Sequence, residues 1–157
     1  MRYTLMSRSR ELGTTGVELP PPSAGSRSWH FIPGPAFVEE EPLFAELPAA
    51  IAAGEEVIPS TGELEAIPEA EREDRMREML LSDPRMARFL ELSEHLEALE
   101  LALHDPSGVA VPTRTIGVTE LAIPPEVFQE VLRSIDAGAD LSLAERPPFY
   151  LLVASLA

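Results

Sequence analysis

The sequence predicts an α+β protein: a small sheet with two packed central helices and a C-terminal β-α-β-β unit. Three observations predict it. Apolar residues recur at spacings of three and four through the middle of the chain, the helical period. β-branched and apolar runs at 109–121 and 149–157 read as strands. Proline, glycine and acidic clusters punctuate the 157 residues into a proline-rich arm (1–36), an acidic helical region (37–110) and a final unit (111–157).

In the arm, Tyr3 and Leu5 alternate over a possible first strand. Pro20, Pro21 and Pro22 favour an extended polyproline segment. "SWHFIPGP" holds Trp29, the single tryptophan, beside His30 and Phe31. This cluster reads as an anchor that ties the arm to a core, with Trp29 the candidate for a binding patch.

Over 37–67, Pro42 opens a short helix that Pro48 interrupts, and Gly54 is the natural stop. "EEVIPS" and "ELEAI" read as two strands around a "TG" turn. From 68 the helical pattern is clearest. Pro68 begins it, Met76, Met79 and Leu80 supply an apolar face, and Ser82 or Asp83 caps a second helix from Pro84. That helix is expected to reach His104. Phe89, Leu92, Leu96, Leu99 and Leu103 then form one seam that either faces the core or meets a partner helix or a second copy.

At the C-terminal end, "DPSG" is a turn and "VAVPTRTIGVTEL" is strand-rich. Pro124 and Pro125 start a helix with Val127, Phe128, Val131, Leu132 and Ile135 on its apolar face. Gly138 is the expected left-handed stop. "ADLSLAE" alternates Leu141 and Leu143 like a strand, "RPP" turns, and "FYLLVASLA" is a final buried strand. Residues 113–157, with "RTIGVTEL", the "AG" after the helix and "RPPFYLLVA", resemble the DNA-binding half of prevent-host-death (Phd/YefM-type) antitoxins. The resemblance implies a β-α-β-β unit. It also implies DNA contacts from basic residues at the helix start and the turn, here reduced to Arg114, Arg133 and Arg146. In that family a toxin-binding segment follows the unit; here it would have to precede it.

Charge narrows the function. Net charge is −15, with twelve arginines and no lysine. Residues 39–74 carry twelve acids, among them Glu39, Glu40 and Glu41, against Arg72 alone. Such a field repels nucleic acid and attracts basic partners. No apolar run reaches the roughly 18 residues of a membrane span, and there is no cysteine, so a cytoplasmic location is expected. Enzyme chemistry finds no constellation. On one helix His95 and His104 would lie about 180° apart. Glu91 and His95 lack a third ligand. "GTTG" at 13–16 has no lysine or helix after it. No catalytic, cofactor or metal residue is therefore assigned. The expectation is a non-enzymatic acidic binding protein that docks on or neutralises a basic protein partner such as a toxin, in the manner of an antitoxin or immunity protein. Its partner-binding candidates are Trp29, Glu39–Glu41, Phe89, Leu92, Leu96, Leu99 and Leu103. The alternatives are a DNA-binding autoregulator on the same fold, using Arg114, Arg133 and Arg146, and a structural subunit or adaptor of a larger complex.

Overall fold

Residues 1–36, expected as an arm, build three strands: β1 (Thr4–Ser7), β2 (Arg10–Leu19) and β3 (Ser26–Pro33). The computed structural model describes every residue except Ser60, and Thr61 by its backbone alone. The three prolines sit in the connection from β2 to β3, where Gly25 takes φ 79 and the Ser26 N–H donates to the Ser23 carbonyl at 3.3 Å. Glycine makes that turn without steric cost.

The remaining strands are β4 (Leu101–His104), β5 (Ala110–Val111), β6 (Thr113–Leu121) and β7 (Phe149–Leu156). All seven join one antiparallel sheet in the order β5-β4-β1-β2-β3-β7-β6. The sheet curls enough for β4 to approach β6, although four strands separate them in the order. By internal contacts the chain divides into two compact units, Met1–Ala45 with Leu99–Ala157, and Glu46–Ala98.

The sheet unit has two buried faces. Alternation along β3 sends Trp29 and Phe31 to one side and Ser28 and His30 to the other, and all four are buried. On the first face, Phe37 at the start of α1 (Phe37–Val57) touches Phe31, Phe44 and Tyr150 with ring centroids 5.1–5.6 Å apart. The opposite face is covered by α5 (Pro125–Ile135), whose Phe128 and Leu132 pack with Leu19, Ala144 and Phe149. Proline at the first helical position suits α5, because the missing N–H has no partner there anyway. The other residues of its expected apolar face, Val127, Val131 and Ile135, stay exposed.

The expected second strand of the C-terminal unit is a short 3₁₀ turn (Ser142–Ala144). Asp140 explains it: its Oδ1 accepts from the Ser142 N–H at 3.0 Å and from the Ser142 hydroxyl at 2.7 Å. Those local bonds displace a ladder. Gly138 is no left-handed stop either. The helix ends at Asp136, in extended backbone, which accepts from the Gly138 N–H at 3.0 Å.

The second unit holds the rest of α1, then α2 (Thr61–Glu65), α3 (Glu69–Ser82) and α4 (Pro84–Ala98). Helix replaces both strands expected over 55–67, of which Ser60 lies outside the described residues. Alanine and glutamate dominate α1, and both favour helix over sheet. The helix therefore runs on through Pro42, Pro48 and Gly54. Gly54 is a packing position: a Cβ there would come within 3.5 Å of the Phe89 side chain. The start of α4 is as expected, with Asp83 Oδ1 accepting from the Arg85 N–H at 2.9 Å. Its end is not. Glu100 takes φ 48, and "LALH" leaves the helix to pair with β1.

Candidate functional site

The break at Glu100 dissolves the five-residue seam. Leu103 is completely buried in β4, and Leu99 is buried with its carbonyl accepting from the Ser7 hydroxyl at 2.7 Å. Phe89, Leu92 and Leu96 remain on α4, with Leu92 buried and the other two half-buried. Phe89 is turned toward Gly54 of α1. The apolar seam proposed for a partner is thus largely core.

The acidic candidates are engaged within the sheet unit. Arg10 pairs with Glu39 and, at 3.0 Å, with Glu40, while the Tyr150 hydroxyl donates to Glu41 at 2.7 Å. Burial and the Glu41 carboxylate together push the Tyr150 phenol well above its ordinary value. Trp29 is 1% exposed, so it offers no binding patch. Arg27 stacks over its ring at 4.9 Å and is held by a two-bonded pair to Glu18, each bond 2.8 Å. Arg114, Arg133 and Arg146 are exposed on three separate elements, β6, α5 and the turn before β7.

Two surfaces stand out instead. In the helical unit, α3 has no buried residue although it carries Met76, Met79, Leu80 and Leu81. Met76, Leu80 and Leu81, with Met86 and Leu90 of α4, line a shallow groove of about 310 Å³ whose walls are almost wholly apolar. Glu73 and Arg77, paired at 3.5 Å, stand at its edge. Methionine is unbranched and polarizable, so such a groove adapts to differently shaped occupants. The sequence did mark Met76, Met79 and Leu80 as an apolar face. That none of them is fully buried was not legible, because the seam of α4 competed for the same role.

In the sheet unit, an open groove of about 430 Å³ lies against Thr15, Gly16, Val17 and Ile32 of β2 and β3 and the segment from Ile135 to Leu143. His30 is in its lining, 5% exposed, with its ring edge-on to Phe128 at 4.9 Å between centroids. Among the described residues neither ring nitrogen has a hydrogen-bond partner. Burial pushes its imidazole pKa below the ordinary value. Sequence reading grouped His30 with the tryptophan as an anchor. Its distinguishing signal, strand alternation that separates it from Trp29 and Phe31, needed the strand to be recognised first.

That depressed pKa has a testable consequence. Between the folded-state value and the unfolded value of about 6.5, the unfolded chain binds the extra proton. Stability is therefore expected to fall as pH drops below about 6.5, and the loss levels off beneath the folded-state pKa. Urea titrations of wild type and His30→Gln from pH 8 to 5 check this. The wild-type advantage should shrink steadily, and a constant difference would refute the assignment.

No family model matches the chain, and neither a curated protein nor a solved structure does.

Proposed function

We propose that the chain is a non-enzymatic acidic binding protein that docks a basic, amphipathic segment of a protein partner on the α3–α4 face. One observation carries the reading: α3 fully buries none of its apolar side chains, so its methionine- and leucine-rich face is left partly open within its own unit. Charge complementarity names the occupant. Glu46–Ala98 holds fourteen acidic residues against five arginines. Three of those arginines are already paired: Arg77 with Glu73, Arg85 with Asp83 and Glu56, and Arg88 with Glu46 and Glu91. A basic partner is steered by that field and held by apolar anchors in the groove. Neutralising a basic toxin, as antitoxin and immunity proteins do, is the specific form of this activity that the acidic balance favours.

Titration calorimetry with a leucine–arginine amphipathic peptide and its leucine–glutamate counterpart tests the reading. The basic peptide is expected to bind, more weakly as salt rises. Leu81→Asp and Leu90→Asp alter exposed positions and should each weaken binding by about tenfold or more while leaving the circular dichroism unchanged. Equal binding of both peptides, or binding indifferent to both substitutions, would refute the reading.

A further inference from the structure

The sheet ends differently at its two edges. One edge is β5, two residues long, which leaves little backbone to pair. The other is β6, nine residues long, and among the described residues its one ladder is with β7. Its outer side therefore presents a row of N–H and C=O groups. β4 comes near but shares no ladder with β6, and among the described residues no other backbone hydrogen bond reaches 113–121.

Proteins commonly guard such an edge with lysine, proline or an inward charge that repels a second strand. β6 has no lysine and no proline. It has a bulge at one end, between Thr113 and Thr115, and two charges, Arg114 and Glu120. Those charges do not guard it against a copy of itself. They are opposite in sign and stand three residues to either side of Gly117. The residues between repeat the symmetry, with Thr115 and Thr119, and Ile116 and Val118, flanking the same glycine. An antiparallel strand of the same sequence, centred on Gly117, sets Arg114 opposite Glu120 twice, threonine opposite threonine and isoleucine opposite valine. Directly opposed side chains share a face with Cβ atoms about 5 Å apart, so each pair is in reach. A parallel pair in register would oppose arginine to arginine and glutamate to glutamate. An antiparallel slip of two residues either way would oppose both charges to apolar residues.

A net charge of −15 works against self-association, and β6 is where it does so least. Between Asp105 and Glu126, Arg114 and Glu120 are the sole charged residues, and they cancel. Both are exposed, and among the described residues neither makes an ion pair within its own chain. A Cβ at Gly117 would meet nothing within 4 Å, so the centre of the edge is uncovered.

We propose that two copies of the chain join through β6, antiparallel about Gly117, into one continuous sheet, with Arg114 of each copy paired to Glu120 of the other. The pairing sets Arg114 against a carboxylate rather than a phosphate. The edge belongs to the sheet unit, whereas partner docking belongs to the helical unit, so either proposal can fail without the other.

Analytical ultracentrifugation of the full chain is the test. Wild type is expected to be dimeric at about 100 μM. Arg114→Glu and Glu120→Arg change exposed residues, so each should keep the wild-type circular dichroism. Each opposes like charges twice across the dimer and should raise its dissociation constant by about tenfold or more. Mixed in equal amounts, the two variants should form a heterodimer, because every charge again meets its opposite. The chain carrying both substitutions should dimerise like wild type. A monomeric wild type would overturn the proposal. So would a dimer that either single substitution leaves unchanged, or single variants whose mixture stays monomeric.

Discussion

Phe37→Ala is expected to remove about 3–5 kcal/mol of stability, the largest loss from any single truncation in the sheet unit. Phe37 is 1% exposed and touches three other aromatic rings, Phe31, Phe44 and Tyr150. Alanine would leave a cavity between the start of α1 and the middle of the sheet. Such a cavity collapses poorly, because β3 and β7 are hydrogen-bonded on both sides. The same first turns of α1 carry Glu39, Glu40 and Glu41, which reach Arg10 and Tyr150. Loosening the helix start therefore weakens polar contacts as well. Urea denaturation followed by Trp29 fluorescence measures the loss, since the single buried tryptophan reports directly on this unit. Ile51→Ala, at an exposed position of α1, serves as the control and should change little. A cost for Phe37→Ala no larger than that of Ile51→Ala would refute the packing described for the aromatic cluster.

Gly13→Ala is expected to cost about 3 kcal/mol, although it adds a single methyl group. Position 13 pairs with Pro33 in the ladder between β2 and β3. A Cβ there would stand 2.5 Å from Phe31 Cζ and closer still to the Ile32 carbonyl oxygen. One obstacle is backbone and the other is a fully buried ring, so neither can step aside cheaply. Gly117 on β6 makes the matched comparison, since a Cβ there meets nothing within 4 Å. Gly117→Ala should instead stabilise by roughly 0.5–1 kcal/mol, because glycine in a strand loses more backbone freedom on folding. Thermal denaturation of the two variants side by side decides the matter, and the expected signs are opposite. Two changes of the same sign and size would mean that β2 and β3 are not paired in this register.

Local chemistry was the most legible layer. The "DPSG" turn forms as read: Asp105 Oδ1 accepts from the Ser107 and Val109 N–H groups at 2.9 and 3.0 Å, and Gly108 takes φ 86. Pro125 opens α5, Asp83 caps α4, and β6 and β7 run where β-branched and apolar residues cluster. Each of these depends on residues a few positions apart, and the bonds involved are short-range. The α+β class follows from the same signals. The acidic balance and the arginine-only basic set are likewise properties of composition.

Long-range pairing decided the rest. Nothing local at Glu100 signals a helix stop, since glutamate favours helix and no glycine or proline is near. The 3.6-residue pattern in Phe89–Leu103 therefore ran straight across the boundary. The helix ends because "LALH" gains a ladder with β1, whose residues lie almost a hundred positions earlier. The ladders β1–β2, β2–β3 and β3–β7 likewise drew residues 1–36 into the sheet and buried Trp29. The candidate sites moved for the same reason. Glu39–Glu41 looked free in a run of acids, but folding brings Arg10 and Tyr150 to them. His30 looked like one member of an aromatic anchor until strand alternation turned it away from its neighbours toward Gly16 and Phe128. Pattern within a segment reports what the segment can bury. Which surface it buries against, and which one is left open, depends on partners distant in sequence, and only the assembled sheet and helices supply those.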